Sequence, residues 1–291
     1  MQVRTLINLH CDIAEGPLWD EREQILYWVD ILAGHIHRFD PRDESLHTYT
    51  LGQPVGTFAL REKGGMITAL ASGFATFDPS SGVVQPIANP EAAISGNRYN
   101  DGKACPKGYF WAGTMAYSLA RHAGSLYRLK PDGSTTKIMG DVTISNGMGW
   151  SPDHKTMYYA DTIPGILYAF DYEASTGDVA NRRVIWNIPS DEFGSPDGLT
   201  VDAEGMLWIA FYNGSCVRRW NPNTGEVLQT IDLPTRQITS CTFGGPNLNT
   251  LYITSASEHM TPEQKAEHPL AGALFAVDLP VQGLPMFRFN G

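Results

Sequence analysis

Met206-Leu207-Trp208-Ile209-Ala210 is followed by Cys216-Val217-Arg218-Arg219-Trp220-Asn221-Pro222. Each run is short and rich in β-branched and aromatic residues, and the second stops at proline, which has no N–H to give to a ladder. The same pairing occurs five more times. Tyr27-Trp28-Val29-Asp30 precedes His35–Pro41, Met66–Leu70 precedes Phe74–Pro79, and Tyr109–Gly113 precedes Ser125–Pro131. Met157–Asp161 precedes Ile166–Asp171, and Leu251–Thr254 precedes Ala273–Asp278. The first members start at 27, 66, 109, 157, 206 and 251, a spacing of 39 to 49 residues. A four-stranded propeller blade takes about 40–50 residues. A sandwich explains alternating strands but not one period kept six times. The pattern predicts an all-β chain: a six-bladed β-propeller with four antiparallel strands per blade.

Turn chemistry and composition agree. Asp-Pro, Lys-Pro or Asn-Pro ends four of the six second runs, and Asp132-Gly133 and Thr224-Gly225 fit tight hairpins. No linker divides the chain, so residues 1–291 read as one domain. Thr261-Pro262 looks like a helix N-cap and first helical residue, predicting a short helix inserted in the last blade. The formal net charge is -10 and no basic run of five residues exists, which disfavours nucleic acid as a partner. No 18-residue apolar run is present, so no membrane span is expected, and no apolar stretch at the amino terminus resembles a signal segment. Cys11, Cys105, Cys216 and Cys241 are too far apart in sequence for a CxxC motif. Together these features suggest a cytoplasmic protein with free thiols.

Propeller loops converge on one mouth of the central channel, so a site there draws single residues from distant positions. Glu15 in Ala14-Glu15-Gly16-Pro17, Asn146 in Ser145-Asn146-Gly147-Met148 and Asp197 in Pro196-Asp197-Gly198-Leu199 stand at equivalent places, just ahead of inner strands of three blades. Singly, each reads as a turn. Jointly, two carboxylates and a carboxamide make an all-oxygen set suited to Ca²⁺, Mg²⁺ or Mn²⁺, whereas Zn²⁺ more often recruits His or Cys. Gly96–Lys103 contains Arg98 and Asn100, donors for substrate hydroxyls or a carbonyl; Lys103 reads as leading outward. His35 and His37 share one face of a strand and read as solvated. No GxSxG elbow and no GxGxxG after a strand is present, which argues against serine hydrolysis and dinucleotide binding.

Glu15-Gly16-Pro17 with Trp19, Asn97–Gly102, Ala112–Met115, Gly124–Tyr127, Asn146-Gly147 with Trp150–Asp153, and Pro196–Gly198 with Val201-Asp202 occur in this order. In this the chain resembles the regucalcin (senescence marker protein) and gluconolactonase family along nearly its whole length. The resemblance implies one divalent ion (Ca, Mg, Mn or Zn) held by Glu15, Asn146 and Asp197, with substrate bound by Arg98 and Asn100. It implies a carboxylic ester hydrolase opening a sugar (aldonic acid) lactone in carbohydrate catabolism. For that reaction Asp197 is the expected general base, taking a proton from a water at the site. The alternative it carries is a calcium-binding regulatory propeller with little catalysis. The expected partner is a small-molecule lactone, and the expected state is a monomer or weak oligomer. A glutamate that animal regucalcins carry shortly after their Gly-Thr-Met is replaced by Ser118, so the substrate loop is expected to tolerate differently shaped or even anionic lactones.

Overall fold

The computed structural model describes residues 2–291. Six four-stranded antiparallel sheets are formed. Five are built from consecutive strands. Their inner strands are Ala14–Asp20, Val55–Leu60, Asn97–Ala104, Ser145–Trp150 and Ser195–Val201. The sixth has Ile238–Gly244 innermost, then Thr250–Ser255 and Ala273–Asp278, and takes its outer strand, Arg4–Asn8, from the amino terminus. Each inner strand packs against the next and the last against the first, so the ring closes.

The periodic runs of the sequence are the second and third strands of the blades. Second strands such as Ile25–Asp30 and Phe110–Ala116 are buried along their whole length, because neighbouring blades cover both faces. Trp28, Trp111 and Trp208 lie in these layers and are fully buried. Outer strands such as Ser45–Thr50 are largely exposed. Burial therefore grades from rim to centre.

The inserted helix is Pro262–Glu267, with Thr261 as N-cap: its hydroxyl accepts from the Gln264 amide, and the Gln264 side chain accepts from the Thr261 amide. A second short helix, Ser190–Phe193, joins blades four and five. Among the described residues no helix is long and apolar enough to cross a membrane. All four cysteines are buried and unpaired.

The carboxyl-terminal tail crosses the far ends of the inner strands. The Phe289 amide donates to Leu60 O at 2.9 Å, Gly283 N to Leu248 O at 2.7 Å, and Arg61 Nε to Gly291 O at 2.9 Å. The expectation of a solvated His37 is corrected. Its ring is 4% exposed, lies 5.0 Å from the Trp28 ring centroid, and shares a hydrogen bond with Thr48 Oγ1 at 2.9 Å. Strand periodicity puts His35 and His37 on one face, but the face itself is covered.

Candidate metal and substrate site

All six inner strands break register near their first residues, between Glu15 and Leu18 in blade one, Asn146 and Met148 in blade four, and Pro196 and Leu199 in blade five. The two remaining inner strands of the first half do so between Val55 and Thr57 and between Tyr99 and Gly102, and blade six between Ile238 and Ser240. A bulge re-aims one side chain out of the pleat. Glu15, Asn146 and Asp197 thus lie inside the inner strands, not in the loops ahead of them, and the bulge turns them to the channel mouth. The glycines after them allow it. Gly16 has φ 53°, and a Cβ on Gly147 would stand 2.5 Å from Asp197 O.

The three side chains meet in a cavity of about 130 Å³, also lined by Arg98, Asn100, Tyr212 and Glu258. Glu15 Oε2 accepts from the Gly16 amide, while Oε1 has no partner although buried. Asn146 Nδ2 donates to Thr162 Oγ1 at 2.9 Å, which fixes the amide so that Oδ1 is also buried and unpartnered. Asp197 lines the same cavity as the Glu15 and Asn146 side chains. Buried polar atoms are nearly always satisfied, so two orphaned oxygens beside a third carboxylate are a donor set that could hold a cation. Among the described residues no cluster of three or more His, Cys, Asp or Glu reads as a metal site; this set reaches three donors by counting the Asn146 carboxamide.

Electrostatics point the same way. Burial, then Asp101 and Asp197, push the Glu15 carboxyl well above its ordinary range, and burial followed by Asp101 does the same to Asp197. Asp101 went unassigned in the sequence. It is buried, accepts from the Gly102 amide at 2.6 Å, and faces Lys103. Lys103 does not lead outward. Its Nζ donates to Leu199 O at 2.9 Å inside the channel, and burial holds its pKa down.

Arg98 is 6% exposed, and its Nη1 donates to Tyr99 O at 3.0 Å and to Asn100 Oδ1 at 2.7 Å. Asn100 Nδ2 in turn donates to Ser145 O at 2.9 Å. Both ends of Asn100 are therefore engaged in aiming Arg98. The Tyr117 ring lies 5.9 Å from the guanidinium, and Met115 and Leu119 line the cavity. Ser118, between them, is exposed. Asp30 and Asp161 were also missed. Asp30 accepts from the Asp12 and Ile13 amides, and Asp161 from those of Thr143 and Ile144, pinning the chain that leads into Glu15 and into Asn146. The repeated aromatic-x-x-Asp ends of two second strands, Tyr27–Asp30 and Tyr158–Asp161, were the available signal.

Fold and site together define a six-bladed propeller with two buried carboxylates and a carboxamide gathered in one cavity. Residues 13–257 match the SMP-30/Gluconolactonase/LRE-like region. Regucalcin of Xenopus laevis is 38% identical over 297 residues, covering 100% of this chain and 99% of its own. A solved luciferin-regenerating enzyme is 31% identical with TM-score 0.92, covering 100% of this chain and 99% of its own. A calcium-binding regucalcin from Agrobacterium tumefaciens is 28% identical with TM-score 0.95, covering 100% and 98%. The chain belongs to the SMP-30/gluconolactonase family.

Proposed function

We propose that this protein is a divalent-metal-dependent hydrolase of a sugar lactone, of the aldonic acid type, acting in carbohydrate breakdown. The observation that carries this reading is the pair of unpartnered oxygens, Glu15 Oε1 and Asn146 Oδ1, beside Asp197 in a sugar-sized cavity. The family's gluconolactonase members support the substrate class. The Agrobacterium relative's description as calcium-binding supports the cation, for which Ca²⁺, Mg²⁺, Mn²⁺ or Zn²⁺ are candidates.

Glu15, Asn146 and Asp197 would hold the ion, which when bound supplies a Lewis acid for the lactone carbonyl. Arg98, aimed by Asn100, donates to ring oxygens or hydroxyls and fixes the lactone's orientation. Asp197 takes a proton from the attacking water as its oxygen bonds to the carbonyl carbon. The ring C–O bond breaks, the proton passes to the leaving oxygen, and the product is the open sugar acid. Tyr212, Met115 and Leu119 wall the cavity and limit competing water. The buried free thiols support a reducing cytoplasmic setting, and the protein is proposed to act as a monomer or weak oligomer.

The relatives named regucalcin favour a second reading, a calcium-binding regulator with little turnover. One assay separates the two: proton release from glucono- and other aldonolactones, with chelator and with each metal restored. Turnover abolished by chelator and restored by metal supports the hydrolase. Tight Ca²⁺ binding without turnover of any lactone supports the regulator.

A further inference from the structure

We propose that Glu258, on the turn after the last blade's second strand, is a substrate-contacting residue that binds a sugar hydroxyl together with Arg98 and restricts the site to neutral polyhydroxylated lactones. The inference rests on the lactonase reading and names its substrate class.

Glu258 is absent from every motif that identifies the site, yet it lines the same cavity as Glu15, Arg98 and Asp197. Its backbone is tied on both sides. Glu258 N donates to Asp12 O at 3.0 Å, and Glu258 O accepts from Gln237 Nε2 at 3.0 Å. These bonds anchor it to the segment leading into Glu15 and to the head of blade six. Among the described residues the carboxylate takes part in no hydrogen bond that would tie it down. Its ion-pair contact is to His259 Nε2 at 3.4 Å, on a ring that is 68% exposed.

Arg98 lines the same cavity. Both its protein hydrogen bonds use Nη1. Burial lowers the guanidinium's pKa, and Glu258 leads the carboxylates and phenols that oppose this. No ion pair within 4.0 Å joins the two among the described residues, so the opposite charges share the cavity without touching. A guanidinium only donates and a carboxylate only accepts, whereas a hydroxyl does both. A sugar hydroxyl between them satisfies each.

The charge on the cavity wall sets the class of substrate. Glu258 places a carboxylate on the wall of the cavity that Arg98 also lines, outside the set of Glu15, Asn146 and Asp197. A neutral lactone meets no like charge there. A lactone with a carboxylate on its distal end brings a like charge against Glu258, which a low-dielectric cavity penalises. Glu258 thus supplies from blade six a carboxylate that the Ser118 loop does not.

The test compares kcat/KM for an aldonolactone and the corresponding aldarolactone, which bears a free carboxylate, in wild type and Glu258→Gln at saturating metal. Thermal unfolding of the variant serves as the check on folding. Wild type is expected to favour the neutral lactone at least about tenfold, and Glu258→Gln to shrink that ratio by about tenfold, through a higher KM for the neutral substrate and a lower one for the anion. Equal losses for both substrates in a folded variant, or no change in either, would overturn the proposal. Calorimetry with an aldonate and the corresponding aldarate, metal present, reads the effect of the same distal carboxylate as binding. Absence of turnover in wild type therefore counts against the lactonase reading, and an unmoved binding ratio counts against this one.

Discussion

Asp197 is asked to do two things that conflict in the folded chain. In the proposed role it helps hold a cation, yet as a carboxylate it is buried, repelled by Asp101 and itself raising the pKa of Glu15. Asp197→Asn keeps the shape and removes both the charge and the proton acceptor. Turnover is expected to fall by about 10²–10⁴-fold, as for loss of a general base. In chelator, where no cation offsets the repulsion, the same variant is expected to melt higher than wild type by about 2 °C or more, since 1 kcal/mol moves a domain of 150–250 residues by about 2–4 °C. Calorimetric melting of both proteins in chelator checks this, and an equal or lower melting temperature for the variant removes the repulsion argument. Thr162 is the partner that orients the Asn146 amide. Thr162→Val is expected to weaken metal affinity by about 10–100-fold while activity returns at high metal concentration. A metal titration of lactone hydrolysis measures it; unchanged affinity would mean that the bulge alone aims Asn146.

The elements differ in how plainly the sequence announced them. Second and third strands are legible because blades cover them and their apolar runs are unbroken, as in Leu207–Tyr212. Inner strands are hidden in glycine and charge: Ala14-Glu15-Gly16-Pro17 reads as a loop, and its strand character comes only from pairing and the bulge. That is why Glu15, Asn146 and Asp197 stand out as a set while the sequence around them reads as loop ahead of a strand. Glu258 and Asp101 had no repeating signal, since each occurs in one blade alone. His37 shows the reverse limit, because periodicity gives the face of a strand and not what covers it. Its burial, followed by the charge of His35, depresses its pKa to about 4. A histidine kept neutral in the fold stabilises it above the unfolded pKa of about 6.5, and that contribution is lost as pH falls from about 6.5 towards 4. The shift corresponds to up to about 3 kcal/mol. Between pH 7 and 4.5 the urea midpoint of wild type is expected to fall more than that of His37→Gln; parallel curves would show that His37 does not carry the acid sensitivity.

At the scale of the whole molecule, the six-fold period was readable and the closure was not. Arg4–Asn8 pairs with Ala273–Asp278, so the ring is fastened by segments from opposite ends of the chain. No local pattern reports a partner that far away in sequence. Deleting residues 1–9 leaves Ala273–Asp278 as an open edge and is expected to lower the melting temperature and to reduce activity, because blade six carries both Thr239 and Glu258 to the cavity. Circular dichroism melting and a lactone assay of the truncated protein check this. The central claim is that blades one, four and five together hold one divalent ion at the channel mouth. The most direct measurement is anomalous diffraction from a crystal of this protein soaked in Mn²⁺. A single strong peak is expected at about 2.0–2.6 Å from Glu15 Oε1, Asn146 Oδ1 and an Asp197 carboxylate oxygen. A map with no peak there, or with its strongest peak bound to other residues, would contradict it.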